Sequence, residues 1–273
     1  MIGVVVVSYH SPERTVHFVS QELAKLPWEH RVCVVDVAAT SATEQYLAEH
    51  LPADTIRLEC PENLGYSRGN NRGAERLRRE CPDLEFLLIC NDDVELIEPQ
   101  SLKAMVEALE ENSCRGIVGP DCIGPDSLHQ SPWDSADDLG RRESWRRRPV
   151  PFGGVSRQCY AVRGCFLMVR AEPFFQVGGF DEEFFLFFEE PVLGERFARI
   201  GLTTWYESSA KVRHLGSATI RRSLSAGRIY RLYRRSFFLM ARKYWGWNAL
   251  QRLCWPVTHL LARLSRIVFV ACR

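Results

Sequence analysis

The chain is short of lysine, and it lacks the common phosphate-loop signatures. Of its 35 basic residues only four are Lys, and the other 31 are Arg. No Gly-x-Gly-x-x-Gly follows the first apolar run; Ser8-Tyr9-His10-Ser11-Pro12 stands there instead. That removes the main support for a dinucleotide dehydrogenase. The absence of a Walker A sequence counts against a P-loop NTPase. A nucleotidyltransferase would need a Gly- and Lys-rich activated-phosphate loop near the N-terminus, and that too is missing. Ten cysteines occur without one Cys-x-x-Cys pair or zinc-type spacing, so neither a zinc site nor a disulfide framework is assigned. No uncharged run approaches the ~20 apolar residues that span a bilayer. No basic lead precedes the first strand, so no secretory signal is expected. A reduced, cytoplasmic setting is the default.

The 273 residues suffice for one large α/β domain, alone or with an appendage. A net charge of +1 conceals a strong asymmetry. From Lys211 to Arg273 there are 14 basic residues and no acid; the remainder carries 21 basic and 34 acidic residues. An acidic body with a basic tail points to an anionic surface, either membrane or nucleic acid. The alternative is solvation of exposed helices. From Asn248 onward, Leu250, Leu253, Val257, Leu260, Leu261 and Leu264 recur at helical spacing, with Arg252, His259, Arg263 and Arg266 on the other side. Such a face suits an anionic leaflet, and equally packing on the body or on a second subunit.

The body alternates strand-like and helix-like segments. Gly3–Ser8, Arg31–Asp36 and Phe86–Cys90 are too continuously apolar to alternate, as expected of strands buried on both faces. Thr55–Leu58 is a further short strand. Helices are expected over Glu13–Leu26, Thr43–His50, Ser67–Arg79 and Ser101–Glu111. This β-α-β alternation implies an α/β fold with a mostly parallel sheet and helices on both faces. Residues 121–158 form a long loop containing Arg142, Trp145 and Arg146 to Arg148. A strand over Cys159–Val169, helices over Pro173–Val177 and Pro191–Ile200, and a helical stretch from about Ser223 follow.

Polar groups gather where the strands end: Ser8-Tyr9, Asp36, and Asn91-Asp92-Asp93. In open α/β sheets ligands bind at that edge. Adjacent carboxylates repel, and a hard cation that shares its oxygen ligands with substrate phosphates is one reason to keep them together. The alternative for Asp92-Asp93 is a solvated turn capping the next helix.

These segments resemble the family 2 glycosyltransferases, in particular the rhamnosyltransferase-like bacterial branch. The resemblance is carried by Val4 to Tyr9, Val34-Val35-Asp36, Glu62-Asn63-Leu64-Gly65-Tyr66-Ser67-Arg68-Gly69-Asn70-Asn71, Cys90 to Asp93, Gly178 to Glu190, and Val212-Arg213-His214. The blocks stand in the family's order over residues 1–220. The resemblance implies a glycosyltransferase A domain over 1–220: a nucleotide-sugar-binding half, 1–120, and an acceptor and catalytic half, 121–220. Residues 221–273 are then a basic, amphipathic helical appendage. It also implies an inverting transfer, dependent on Mg²⁺ or Mn²⁺, from a nucleoside diphosphate sugar to a glycan or lipid-linked acceptor in cell-surface polysaccharide synthesis. Rhamnose is the first expectation.

By the same resemblance Asp93 and His214 hold the metal and diphosphate, and Glu190 is the general base. Ser8, Tyr9, Asp36, Asn63, Gly65, Arg68, Asn70, Asn91 and Asp92 belong to the nucleotide-sugar site. Attachment to the inner face of the plasma membrane through the tail is a further expectation, and nucleic acid is not expected as a partner. Two departures stand out. Val192 occupies a position that is commonly Asp, and Val37-Ala38-Ala39 replaces the polar residues usual after the Asp36 position. They motivate the rival reading, a catalytically impaired nucleotide-sugar-binding protein.

Overall fold

The computed structural model describes residues 1–98, 100–134, 154–216 and 224–250. The core of the fold is β1 (Ile2–Ser8), β2 (His30–Val37), β3 (Ile56–Cys60) and β4 (Phe86–Cys90). These four pair in parallel, in the order β3-β2-β1-β4. Their continuous apolar sequences have a direct cause. Val4, Val6, Val34 and Leu88 enter one hydrophobic cluster, and Val5, Val35, Leu87 and Ile89 enter the other. Side chains of a strand alternate between faces, so a sheet covered on both sides needs apolar residues at every position.

Four helices fill the connections: α1 (Pro12–His17), α2 (Ser41–His50), α3 (Gly65–Glu80) and α4 (Ser101–Glu110). Leu102, Met105 and Leu109 of α4 join the first cluster, and Ala74 and Leu77 of α3 join the second. The helix expected over Glu13–Leu26 is broken. After α1 the chain makes a π turn over Phe18–Glu22 and a 3-10 turn over Leu23–Lys25. Periodicity does not separate these winding types, because all of them bury Phe18, Val19 and Leu23 on one side.

Beyond β4 the sheet is mixed, and the parallel order holds for its first half. β5 (Val94–Leu96), β6 (Arg115–Ile123), β7 (Arg157–Cys159), β8 (Phe166–Arg170) and β9 (Thr203–His214) continue it as β4-β8-β6-β9-β5, with β7 on β9. Strand β6 lies partly in a stretch read as loop. Gly116, Gly119 and Pro120 are residue types depleted in strands and mask it. The single strand expected over Cys159–Val169 is two, β7 and β8, which pair with different partners.

Three more helices complete the described chain: α5 (Ala171–Gln176), α6 (Glu189–Ala198) and α7 (Ala226–Lys243). Helix α7 is part of the body's packing. Its Phe237 and Met240 share a cluster with Trp133, Phe184, Phe188 and Val192. The long loop's Arg142, Trp145 and Arg146 to Arg148, and the tail from residue 251, lie outside the described residues. Among the described residues no helix is long and apolar enough to cross a membrane.

Candidate functional site

A cavity of about 290 Å³ opens where β1, β2 and β4 end. Val7 and Val37 give it an apolar wall, and Asn91, Asp92 and Asp93 line its polar side. Tyr9, Ser11 and Arg14 enter from the first connection, and Asn63, Gly65 and Tyr66 from the turn into α3. Phe185 and Leu186 come from the segment before α6. Leu224, Arg228 and Leu232 come from the start of α7 and the residues before it.

The two adjacent carboxylates have different work. Asp92 accepts hydrogen bonds from Ser11 Oγ at 2.9 Å, Thr15 Oγ1 at 2.8 Å and Arg14 Nε at 3.0 Å. Burial pushes its carboxyl above the ordinary range, although Arg14, Thr15 and Ser11 pull it down. Asp92 therefore ties α1 to the end of β4. Ser8 is one step behind it, with its Oγ 2.9 Å from Thr15 Oγ1.

Asp93 is differently placed. Strands β5 and β9 pair Val94 with His214, which brings Asp93 Oδ1 to 3.4 Å from His214 Nε2. Both atoms are buried, and neither has a hydrogen-bond partner among the described residues. With Nε2 unprotonated the two atoms would be buried acceptors facing each other without a donor, which is costly and which a bound cation would relieve. Among the described residues no group of three or more His, Cys, Asp or Glu side chains could hold a metal. The pair therefore fits an ion that takes its remaining ligands from substrate oxygens and water, as Mg²⁺ does.

The other expected nucleotide-sugar residues divide. Tyr9, Asn63, Gly65, Asn91 and Asp92 line the cavity. Asn63 Oδ1 accepts from Gly65 N at 3.0 Å. Gly65 has φ +70°, and a Cβ there would collide with the Phe185 carbonyl, the acceptor of the Tyr66 N–H. Asp36 and Asn70 are buried behind the cavity. Asp36 accepts from Thr43 Oγ1 at 2.7 Å, and burial raises its carboxyl. Asn70 Nδ2 donates to the Tyr66 carbonyl at 3.0 Å. Arg68 does not line the cavity and pairs with Glu182 at 3.4 Å. Arg14, Tyr66 and Arg228 are cavity residues that the sequence reading missed. The basic tail was visible as charge; the return of its first helix to the strand ends was not.

Glu189 and Glu190 open α6 after two successive left-handed residues, Phe187 (φ 75°) and Phe188 (φ 72°). Such residues cost about 1–3 kcal/mol each and persist where their surroundings hold them. Here α7 holds them. Ser236 Oγ donates to the Leu186 carbonyl at 2.7 Å, and the Phe188 ring packs on Tyr233 and Phe237. Glu190 Oε1 accepts from Gly164 N at 2.7 Å, and the Tyr66 hydroxyl donates to the Gly164 carbonyl at 2.7 Å. Glu190 thus stands behind Tyr66, next to the cavity rather than on its wall. Val192, the departure noted above, is fully buried in the third cluster and packs there.

Glu189 is buried, and its Oε1 has no partner among the described residues. Burial first, and the Glu190 charge second, push its carboxyl well above the ordinary range. A carboxyl whose folded value exceeds its unfolded one takes up a proton on folding. Stability is then greatest below the ordinary carboxylate range and declines as pH rises toward the folded value. Glu189→Gln is expected to flatten that decline and to raise Tm at pH 8 relative to pH 5. Thermal melts of both proteins at the two pH values test this; parallel pH profiles would refute it.

A family model described as Glycosyl transferase family 2 matches residues 3–161. N-acetylglucosaminyl-diphospho-decaprenol L-rhamnosyltransferase of Mycobacterium tuberculosis is 26% identical over 246 residues, covering 79% of this chain and 76% of that protein. A solved mannosyltransferase from Pyrobaculum calidifontis, in complex with GDP-Man and Mn²⁺, superposes with a TM-score of 0.54 at 16% identity. The match covers 80% of this chain and 57% of the other. S. aureus TarS 1-349 in complex with UDP gives 0.53 at 15% identity, covering 86% and 63%.

Proposed function

The chain belongs to glycosyl transferase family 2, is a glycosyltransferase and has the glycosyltransferase A fold; from that premise we propose that it performs an inverting, metal-dependent sugar transfer at the cavity on the strand ends. The observation that carries this reading is the buried pair of atoms Asp93 Oδ1 and His214 Nε2, 3.4 Å apart and without a hydrogen-bond partner among the described residues, at the cavity that Asp93 lines. Val7 and Val37 would take the nucleobase side, and Asn63 and Tyr9 the ribose side. Asp93 and His214 would hold Mg²⁺ or Mn²⁺ against the diphosphate. Bound there, the ion neutralises charge on the leaving nucleoside diphosphate.

Among the described residues no hydrogen bond or ion pair engages the Arg228 guanidinium, which would contact the same diphosphate from α7. Asp36 and Asn70 would support the site from behind. Glu190 would accept the proton of the acceptor hydroxyl as its oxygen bonds to the anomeric carbon. The bond to the diphosphate breaks, and the nucleoside diphosphate leaves with the electron pair.

The Mycobacterium relative suggests a rhamnosyl donor and a glycan on a polyprenyl diphosphate, in polysaccharide synthesis. Arg231, Arg234 and Arg235 lie exposed on α7, which has no acidic residue. They would meet the anionic headgroups around a lipid-linked acceptor at the inner face of the plasma membrane.

The test is calorimetric binding of thymidine, uridine and guanosine diphosphate sugars, with and without Mn²⁺. Metal-dependent binding of one donor, with thymidine diphosphate rhamnose favoured, is the expected result. No binding of any donor by folded protein would replace the transferase reading with that of an impaired site.

A further inference from the structure

We propose that Gln130 is a positioning residue for His214, fixing the imidazole tautomer that turns an unprotonated Nε2 toward Asp93. The inference rests on the reading of Asp93 and His214 as a cation site and adds a residue to it. His214 Nδ1 lies 2.8 Å from Gln130 Oε1. An amide end can be O or NH₂, so its orientation has to be argued. Arg163 settles it here. Its Nε donates toward the same Gln130 atom at 3.4 Å, and a guanidinium has no acceptor. The atom that faces Arg163 is therefore the amide oxygen.

That oxygen cannot donate, so the proton of the His214 contact sits on Nδ1. Neutral His214 then carries its lone pair on Nε2, the atom 3.4 Å from Asp93 Oδ1. A bare Nε2 accounts for the absence of a hydrogen bond between these two buried atoms. Gln130 is itself anchored. Its backbone N–H donates to the Cys122 carbonyl at 2.8 Å, and the adjacent His129 bridges to Ile123 at the end of β6. Strand β6 pairs Ile123 with Arg213, so the amide is held one strand away from the ring it orients. Metal-binding histidines commonly donate their other ring N–H to an oxygen, and loss of that partner costs about 10–100-fold in affinity.

The experiment is ¹⁵N NMR of the imidazole rings in the metal-free full chain, together with Mn²⁺ titration followed by electron paramagnetic resonance. The expected wild-type spectrum shows His214 protonated at Nδ1 and bare at Nε2. Gln130→Leu is expected to lose that signature and to weaken Mn²⁺ binding about 10–100-fold. Gln130→Glu keeps an oxygen acceptor and is expected to retain both.

A wild-type His214 protonated at Nε2, or at both nitrogens at pH 8, overturns the proposal. So does a Gln130→Leu protein with an unchanged spectrum. The expected tautomer in a wild type that binds no Mn²⁺, with or without nucleoside diphosphate, upholds the role of Gln130 and removes the cation site instead.

Discussion

Asp93→Ala is expected to lower kcat/KM at least ~10³-fold and to remove Mn²⁺-dependent donor binding, while the protein melts close to wild type. An ion at a leaving diphosphate supplies several kcal/mol of charge stabilisation, and each 1.36 kcal/mol is tenfold in rate. The fold should tolerate the change. Asp93 Oδ1 has no hydrogen bond to lose, and the backbone carbonyl that accepts the Leu215 N–H remains. Asp92→Ala is the contrasting control. It removes the carboxylate acceptor shared by Arg14, Thr15 and Ser11, and breaking a buried charge pair costs about 3–5 kcal/mol. It should therefore act first on stability, seen as a large drop in Tm. Retained metal-dependent donor binding in Asp93→Ala, measured by calorimetry, would sink the assignment of the cation site.

Glu190→Gln is expected to reduce kcat about 10²–10⁴-fold, the usual worth of a general base, with donor affinity unchanged. The amide oxygen of Gln can still accept from Gly164 N, so the loop keeps its shape while proton uptake is lost. The crowding at Gly164 makes this substitution clean. A Cβ there would come within 2.8 Å of both Glu190 Cγ and the Tyr66 hydroxyl, which indicates how tightly the carboxylate's position is set. Steady-state turnover with donor binding measured in parallel separates the two quantities. Full turnover in Glu190→Gln, with loss in Glu189→Gln, would exchange the roles of the two acids.

The composition of individual segments made one half of the molecule legible and hid the other. Strands β1, β2 and β4 announce themselves because both faces are covered, so every residue from Val4 to Val7 and from Phe86 to Cys90 is apolar. Strand β6 carries two glycines and a proline, and the largely apolar run from Cys159 to Val169 takes in the last residue of β7 and most of β8, with the break between them at residues 160–165. Pairing across the sheet, absent from any local pattern, separates β7 from β8.

The candidate site shows the same division. Asp36, Asp93 and the block ending in Glu189-Glu190 are local motifs and could be read from their neighbours. Gln130 and Arg228 are unremarkable in sequence: one ends a polar loop, the other belongs to a basic tail. His214, which Gln130 meets, is 84 residues away in the chain, and the strand-end residues that share the cavity with Arg228 are farther still. The sequence by itself determined the strand ends, the carboxylates on them and the family to which they belong. Only the tertiary structure decided that Asp92 braces α1 while Asp93 stands bare before His214. It also decided that α7 returns to close the cavity. The physical reason is that a carboxylate's role depends on whether donors reach it, and those donors come from other elements of the fold.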